Sequence, residues 1–252
     1  MAIKSSIEWT HSTWNPITGC TKVSPGCKNC YAECMARRLQ AMGSPNYVNG
    51  FRVTAHEHQI DKPLRWTRPM SIFVNSMSDI FHEDVPFDFI LKIFRVMKLA
   101  GHHRFQLLTK RAERLSALDR KLPWHDNVWM GVTVETADYL FRVDHLRETG
   151  ARTKFLSLEP LLGPLPDLDL RGINWVIVGG ESGPRARLVR PEWVTEIRDQ
   201  VWPRMFHSFS SNGAARIRKN REGYLRAASG TRCRAAQEIP NLFPDAHLPS
   251  IA

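Results

Sequence analysis

The sequence predicts an α/β protein, a single domain of about six βα units on a parallel sheet, and three observations carry that expectation. Short β-branched or aromatic runs alternate with helix-period segments. The runs recur roughly 20 to 30 residues apart, which leaves room for a crossover helix between parallel neighbours. The length of 252 residues, 42% of them hydrophobic, suits one to two domains, and an α/β barrel of this size is a single one.

The first strand is expected near Trp14 to Thr18, ahead of a cysteine-rich loop. Ser71-Ile-Phe-Val-Asn75 reads as a buried strand. Phe87, Ile90, Leu91, Phe94 and Met97 then recur at helical spacing, with Asp84 or Asp88 near the start. Phe105-Gln-Leu-Leu-Thr109 is the next strand, followed by the helix-prone segment Lys110 to Leu115. Val128 to Val134 is another, with a helix from about Thr136 to Glu148. Lys154-Phe-Leu-Ser-Leu158 and Trp175-Val-Ile-Val178 complete the set, and a helix follows Pro191. Six such units either close partly into a barrel or form an open doubly wound sheet, and periodicity does not separate the two. In both, ligands sit at the carboxyl ends of the strands.

Those ends are polar: Asn75-Ser-Met-Ser-Asp79, Thr109-Lys110, Glu135-Thr136, Glu159-Pro160 and Gly179-Gly-Glu-Ser-Gly183. Ser, Thr and Asp also serve as ordinary helix caps, which accounts for single positions better than for three Glu and a Lys together. The candidate binding residues are therefore Asn75, Ser76, Ser78, Asp79, Lys110, Glu135, Glu159, Gly179, Gly180 and Glu181. The Gly179-Gly180 turn can bring backbone close to a ligand, with Glu181 beside it for an ammonium group, although a Gly pair is commonly just a tight turn.

Composition narrows the function classes. No stretch approaches the ~18 uncharged apolar residues of a membrane helix, and the N-terminus lacks a signal-peptide pattern, so a cytoplasmic protein with no membrane partner is expected. The 35 Lys+Arg against 25 Asp+Glu give a net charge of +10, of which +4 falls in residues 208–252. The remaining +6 permits a nucleic-acid partner without requiring one. Five cysteines, four within fifteen residues, do not form a secreted disulfide framework.

Cys20, Cys27, Cys30 and Cys34 are spaced C-x6-C-x2-C-x3-C, and Pro25-Gly26 demands a turn before Cys27. Soft thiolates converging on one point select zinc or an iron–sulfur cluster. A closed zinc site needs four ligands and would recruit Cys34 or a His. A cluster that does chemistry needs three, with one iron open. Cys34 lies one helical turn beyond Cys30, so spacing alone admits both; the lack of a second CxxC knuckle weakens the zinc case.

The segments Ile7-Glu-Trp-Thr10 and Trp14-Asn-Pro-Ile-Thr-Gly-Cys20 through Glu33 resemble the opening of the phage gene-product 37/68 family, found in phages and bacteria and regarded as radical-SAM-like. Asn75–His82, Leu107–Arg111, Gly131–Glu135, Leu156–Pro160 and Val178–Gly183 match the same pattern, over roughly residues 5 to 200. The resemblance implies a partial (βα)6-type barrel as in radical SAM proteins. It implies Cys20, Cys27 and Cys30 as ligands of a four-iron (4Fe-4S) cluster whose open iron chelates S-adenosylmethionine. An electron donor and an unknown substrate, with nucleic acid among the options, complete the partners. In the superfamily the comparable Gly-Gly-Glu element follows an earlier strand than Gly179-Gly-Glu181 does. The competing reading is a zinc-stabilised nucleic-acid-binding protein without catalytic activity. Glu135, Glu159 and Glu181 argue against it, since they would repel a phosphate backbone and suit a sulfonium and ammonium ligand.

The domain is expected to span 1–207 and a basic, poorly ordered tail 208–252. The tail is rich in Arg, Ala, Ser and Asn without a sustained period. Past Met205 the family pattern stops. Permitted codons for Ser211-Asn-Gly-Ala-Ala215 read Phe-Lys-Trp-Gly-Gly one base over. Those for Ser229-Gly-Thr-Arg-Cys-Arg234 read Val-Trp-Asp-Glu-Met-Pro. Relatives carry similar segments in the same order, which points to a divergent or frameshifted C-terminus. The Arg216, Arg218, Lys219, Arg221 patch is then an accident of frame, and any weak, salt-sensitive nucleic-acid binding would come from it.

Overall fold

The computed structural model describes residues 5, 7, 9–182 and 185–208, with 202–208 as helix backbone alone. The tail expected from 208 onward lies outside the described residues beyond Ser208.

Six parallel strands form the main sheet: β1 (Ser12–Trp14), β4 (Ser71–Val74), β5 (Arg104–Thr109), β6 (Val128–Thr133), β7 (Thr153–Leu158) and β8 (Trp175–Val178). Two short strands, β2 (Ile17–Thr18) and β3 (Thr54–Ala55), pair antiparallel with each other. The helices are α1 (Tyr31–Ala41), α2 (Phe87–Leu99), α3 (Ala112–Leu118), α4 (Phe141–Arg147) and α5 (Pro191–Ser208).

The strand order β1-β4-β5-β6-β7-β8 follows the chain without a reversal. Right-handed crossovers that always step the same way put every helix on one face and curl the sheet around the other. The result is a partial barrel, and the doubly wound alternative, which needs a reversal of order, is excluded. The two faces are distinct in composition. Outward residues such as Val74, Leu107, Met130, Val132 and Leu156 share one core with Ile90, Ile93 and Phe94 of α2, Leu115 of α3 and Leu146 of α4. The intervening residues Phe73, Gln106, Phe155, Ser157 and Ile177 are buried on the inner face.

Aromatic side chains crowd the amino end of the inner face. Trp9 stacks 4.7 Å from Phe73 and 5.9 Å from Trp175, reaching from β4 across to the edge strand β8. A Cβ on Gly131 would stand 2.5 Å from the Phe155 ring, so only glycine leaves room for that ring in the lumen. Further along, Leu108 in the central strand β5 is only half-buried. Trp129 and Trp175 at the amino end are likewise half-buried, whereas Thr133 and Ser157 toward the carboxyl end are buried.

One boundary differs from expectation. The segment Trp14 to Thr18 is not one strand: the sheet strand ends at Trp14, and Ile17–Thr18 turn away to pair with Thr54–Ala55. Pro16 has no N–H to continue the ladder. Helix α2 starts where expected: Pro86 in extended conformation precedes it, and Asp88 sits in the first turn. There its charge complements the helix dipole.

Candidate functional site

The cysteine loop lies across the carboxyl ends of the central strands and is pinned at several points. Gly19 takes a φ of +84°, and a Cβ there would stand 2.2 Å from the Arg52 carbonyl oxygen. Its N–H donates to the Met77 carbonyl at 3.0 Å, and it bridges in parallel to Ser78. The Pro25-Gly26 turn brings the Cys27 N–H to the Ser24 carbonyl at 2.9 Å. Beneath this turn, a Cβ on Gly26 would meet Glu135 Oε1 at 2.5 Å, and the Ser24 hydroxyl donates to that oxygen at 2.6 Å. Cys30, with extended backbone, is the residue before α1, and Ala32 and Ala36 seat the helix on Tyr47 and Met77.

Cys20, Cys27 and Cys30 are half-buried, whereas Cys34 is exposed on the far side of the first turn of α1. Burial pushes the Cys20 thiol up to about 11, helped by the neighbouring Asp79 and opposed by Arg111. Burial also raises Cys30, against the backbone N–H groups of Glu33 and Ala32. Cys27 is near enough to both Cys20 and Cys30 to add a small further rise to each. Among the described residues, no group of three or more His, Cys, Asp and Glu is drawn together tightly enough to hold one metal ion.

The polar strand ends fall into three sets. Asn75, Ser76, Ser78 and Asp79 shape the support under the loop. Asn75 has a φ of 59° and accepts the Ile17 N–H at 3.3 Å, while its own amide nitrogen is buried without a hydrogen-bond partner. Ser76 donates to Asn15 at 3.2 Å, and the Tyr31 hydroxyl donates to the Ser76 carbonyl. Ser78 donates to the Ile17 carbonyl at 2.9 Å. Asp79 accepts from the Thr109 hydroxyl, the Lys110 and Phe81 N–H groups, and Arg111.

Glu135 and Lys110 form the second set. Glu135 is fully buried, paired with Arg142 at 2.9 Å and Lys110 at 3.3 Å. Glu159, Gly179, Gly180 and Glu181 form the third. Glu159 reaches along the inner face toward β8, where a Cβ on Gly179 would stand 2.2 Å from its Oε1. Tyr31 shares its surroundings with Glu159 and Cys30 and keeps 48% of its surface accessible, as a side chain does at the mouth of an opening. Glu181 is already engaged: Arg187 donates to it from Nε at 2.9 Å, and Asn29 of the cysteine loop does so at 2.9 Å. Burial pushes its carboxyl up, yet these bonds hold it down at about 2. Arg187 in turn donates to the Pro25 carbonyl, so Glu181 clamps a neighbouring loop onto the cysteine turn.

Arginines are what sequence reasoning passed over. Arg111, Arg142 and Arg187 neutralise Asp79, Glu135 and Glu181 respectively. Arg111 follows Lys110 at a strand end and carried a signal. Arg142 and Arg187 carried none, because their partners lie on other elements or across a turn.

Residues 4–225 match the model of a family described as "Protein of unknown function (DUF5131)", so the match continues past Met205. No curated protein matches. Two solved structures are similar at low identity. One is a spore photoproduct lyase mutant with bound AdoMet and dinucleoside spore photoproduct, 12% identical, with a TM-score of 0.49, covering 82% of this chain and 76% of that one. The other is spore photoproduct lyase complexed with dinucleoside spore photoproduct, 13% identical, with a TM-score of 0.48, covering 85% and 78%.

Proposed function

The chain belongs to the DUF5131 family, and we propose that it is a radical SAM enzyme. The observation that carries this reading is the set of three half-buried cysteines on one loop at the carboxyl end of a partial parallel barrel. The donor set fits an iron–sulfur cluster. It offers soft sulfur, flanking backbone N–H groups and one guanidinium, and a cluster, being larger than one ion, takes thiolates that stand further apart. Cys20, Cys27 and Cys30 would hold it. A closed zinc site would need a fourth ligand, and Cys34 points to solvent.

A bound four-iron cluster with S-adenosylmethionine supplies one-electron cleavage of the cofactor and hydrogen abstraction from the substrate. The chain positions these partners and excludes water. Glu159 with the Gly179-Gly180 backbone forms the wall facing the cofactor, where a carboxylate suits its ammonium and sulfonium charge. Asn75, Ser76, Ser78 and Asp79 hold the loop from below, and Lys110 with Glu135 ties it to the sheet. Glu181, taken up by Arg187 and Asn29, acts through the loop it clamps. A nucleic acid is the first substrate class to assay, given the phage-associated resemblance, and the net charge of +6 over residues 1–207 permits it.

Anaerobic purification and reconstitution with iron and sulfide test this reading. A brown protein with visible charge-transfer absorption, forming 5′-deoxyadenosine from S-adenosylmethionine under dithionite, is expected. A colourless protein holding stoichiometric zinc and no iron ends it.

A further inference from the structure

Arg111 buries its guanidinium directly beneath the cysteine loop, with 4% of its side chain exposed. Its donors are fully used. Nε reaches both oxygens of Glu83 at 3.1 and 3.0 Å, and Nη2 reaches the Thr21 carbonyl at 3.2 Å and hydroxyl at 2.9 Å. Nη1 points at Asp79 Oδ2 at 3.3 Å and at the Cys20 sulfur at 3.4 Å. Asp79 and Glu83 share the guanidinium with the thiol. Asp79 is satisfied by the Thr109 hydroxyl and two backbone N–H groups, at 2.8 to 3.1 Å. Glu83 is 63% exposed, so water screens its charge and would serve it as well. Two of the guanidinium's contacts go to Thr21 and one to the sulfur preceding it, which orients the thiol from one side.

We infer that Arg111 is a positioning residue for the thiolate site, holding the Cys20 sulfur with a charge-assisted N–H···S bond and raising the electron affinity of the cluster that the three cysteines carry. This rests on the reading above. A guanidinium stays charged when buried and presents its donors in a rigid fork, so it can bond the sulfur, the backbone and a carboxylate at once. Hydrogen bonds and positive charge at a ligating sulfur stabilise the added electron and move the reduction potential upward.

The experiment compares the reconstituted wild-type protein with Arg111→Gln, Arg111→Lys and Glu83→Gln in a dithionite titration followed by electron paramagnetic resonance, with iron and sulfide content measured alongside. Arg111→Gln is expected to disfavour the reduced form about tenfold, about 59 mV for one electron, with altered g-values. Arg111→Lys should recover part of that shift. Glu83→Gln removes a partly screened surface charge while its amide oxygen still accepts from Nε, and should move the midpoint upward; it carries the test if Arg111→Gln does not fold. Wild-type midpoint and g-values in folded Arg111→Gln, or in both other variants, overturn the inference and leave Arg111 a scaffold residue. A wild-type protein that takes up no cluster overturns the radical SAM reading and this inference with it. A wild-type protein that takes up a cluster insensitive to Arg111 overturns this inference alone.

Discussion

Glu181 shows how a residue's chemistry is decided by its neighbours. In the sequence it is an open carboxylate at a glycine turn; in the fold it takes bonds from Arg187 and Asn29, which hold its carboxyl near 2 against an ordinary 4.5. A carboxyl depressed in the folded state stabilises above its unfolded value, and that stabilisation is lost as pH falls toward 2. Chemical denaturation of Glu181→Gln is therefore expected to give lower stability at pH 6 and a shallower loss between about pH 4.5 and 2. An acid limb of unchanged slope would show that the clamp contributes nothing. Gly131 makes the same point sterically: nothing in the local run Val128 to Val134 announces that only a glycine clears the Phe155 ring, because the ring comes from the adjacent strand.

Helix α1 places two cysteines of the same motif in different environments. Cys30 precedes the first turn and is half-buried, while Cys34 faces solvent. Residues four apart share a face along a regular helix, which is why spacing alone left Cys34 within reach. Cys30, however, has left helical geometry, with φ −61° and ψ 118°, so the i, i+4 rule does not apply to this pair. Cys20→Ala, Cys27→Ala and Cys30→Ala should each lose most bound iron after anaerobic reconstitution, and Cys34→Ala should keep it. Loss of iron from Cys34→Ala equal to the other three would mean a closed four-thiolate site. The strands and most helices were legible because each run is long enough to show its period, as with Phe87 to Met97 in α2. The break at Pro16 was missed because the apolar pattern runs on through Ile17 while the backbone turns away.

Across the whole molecule, Glu135 joins the following helix to two segments that lie earlier in the sequence. It is fully buried after β6, bonded to Ser24 of the cysteine loop, Lys110 after β5 and Arg142 of α4. Glu135→Ala strands the buried Arg142 guanidinium and should cost about 3–5 kcal/mol. A urea midpoint close to wild type would refute this. If Arg142→Ala is about as costly and the double variant is scarcely worse, the coupling is direct. The sequence by itself determined the α/β class, the alternation of strands and helices, the polar strand ends and the cysteine spacing, since hydrophobic period and local turn chemistry are written along the chain. Only the tertiary structure decided partial barrel against doubly wound sheet, which of the four thiols are half-buried and which is exposed, and which carboxylates are already neutralised. Those outcomes depend on strand order and on arginines from other elements, whose proximity exists only once the chain has folded.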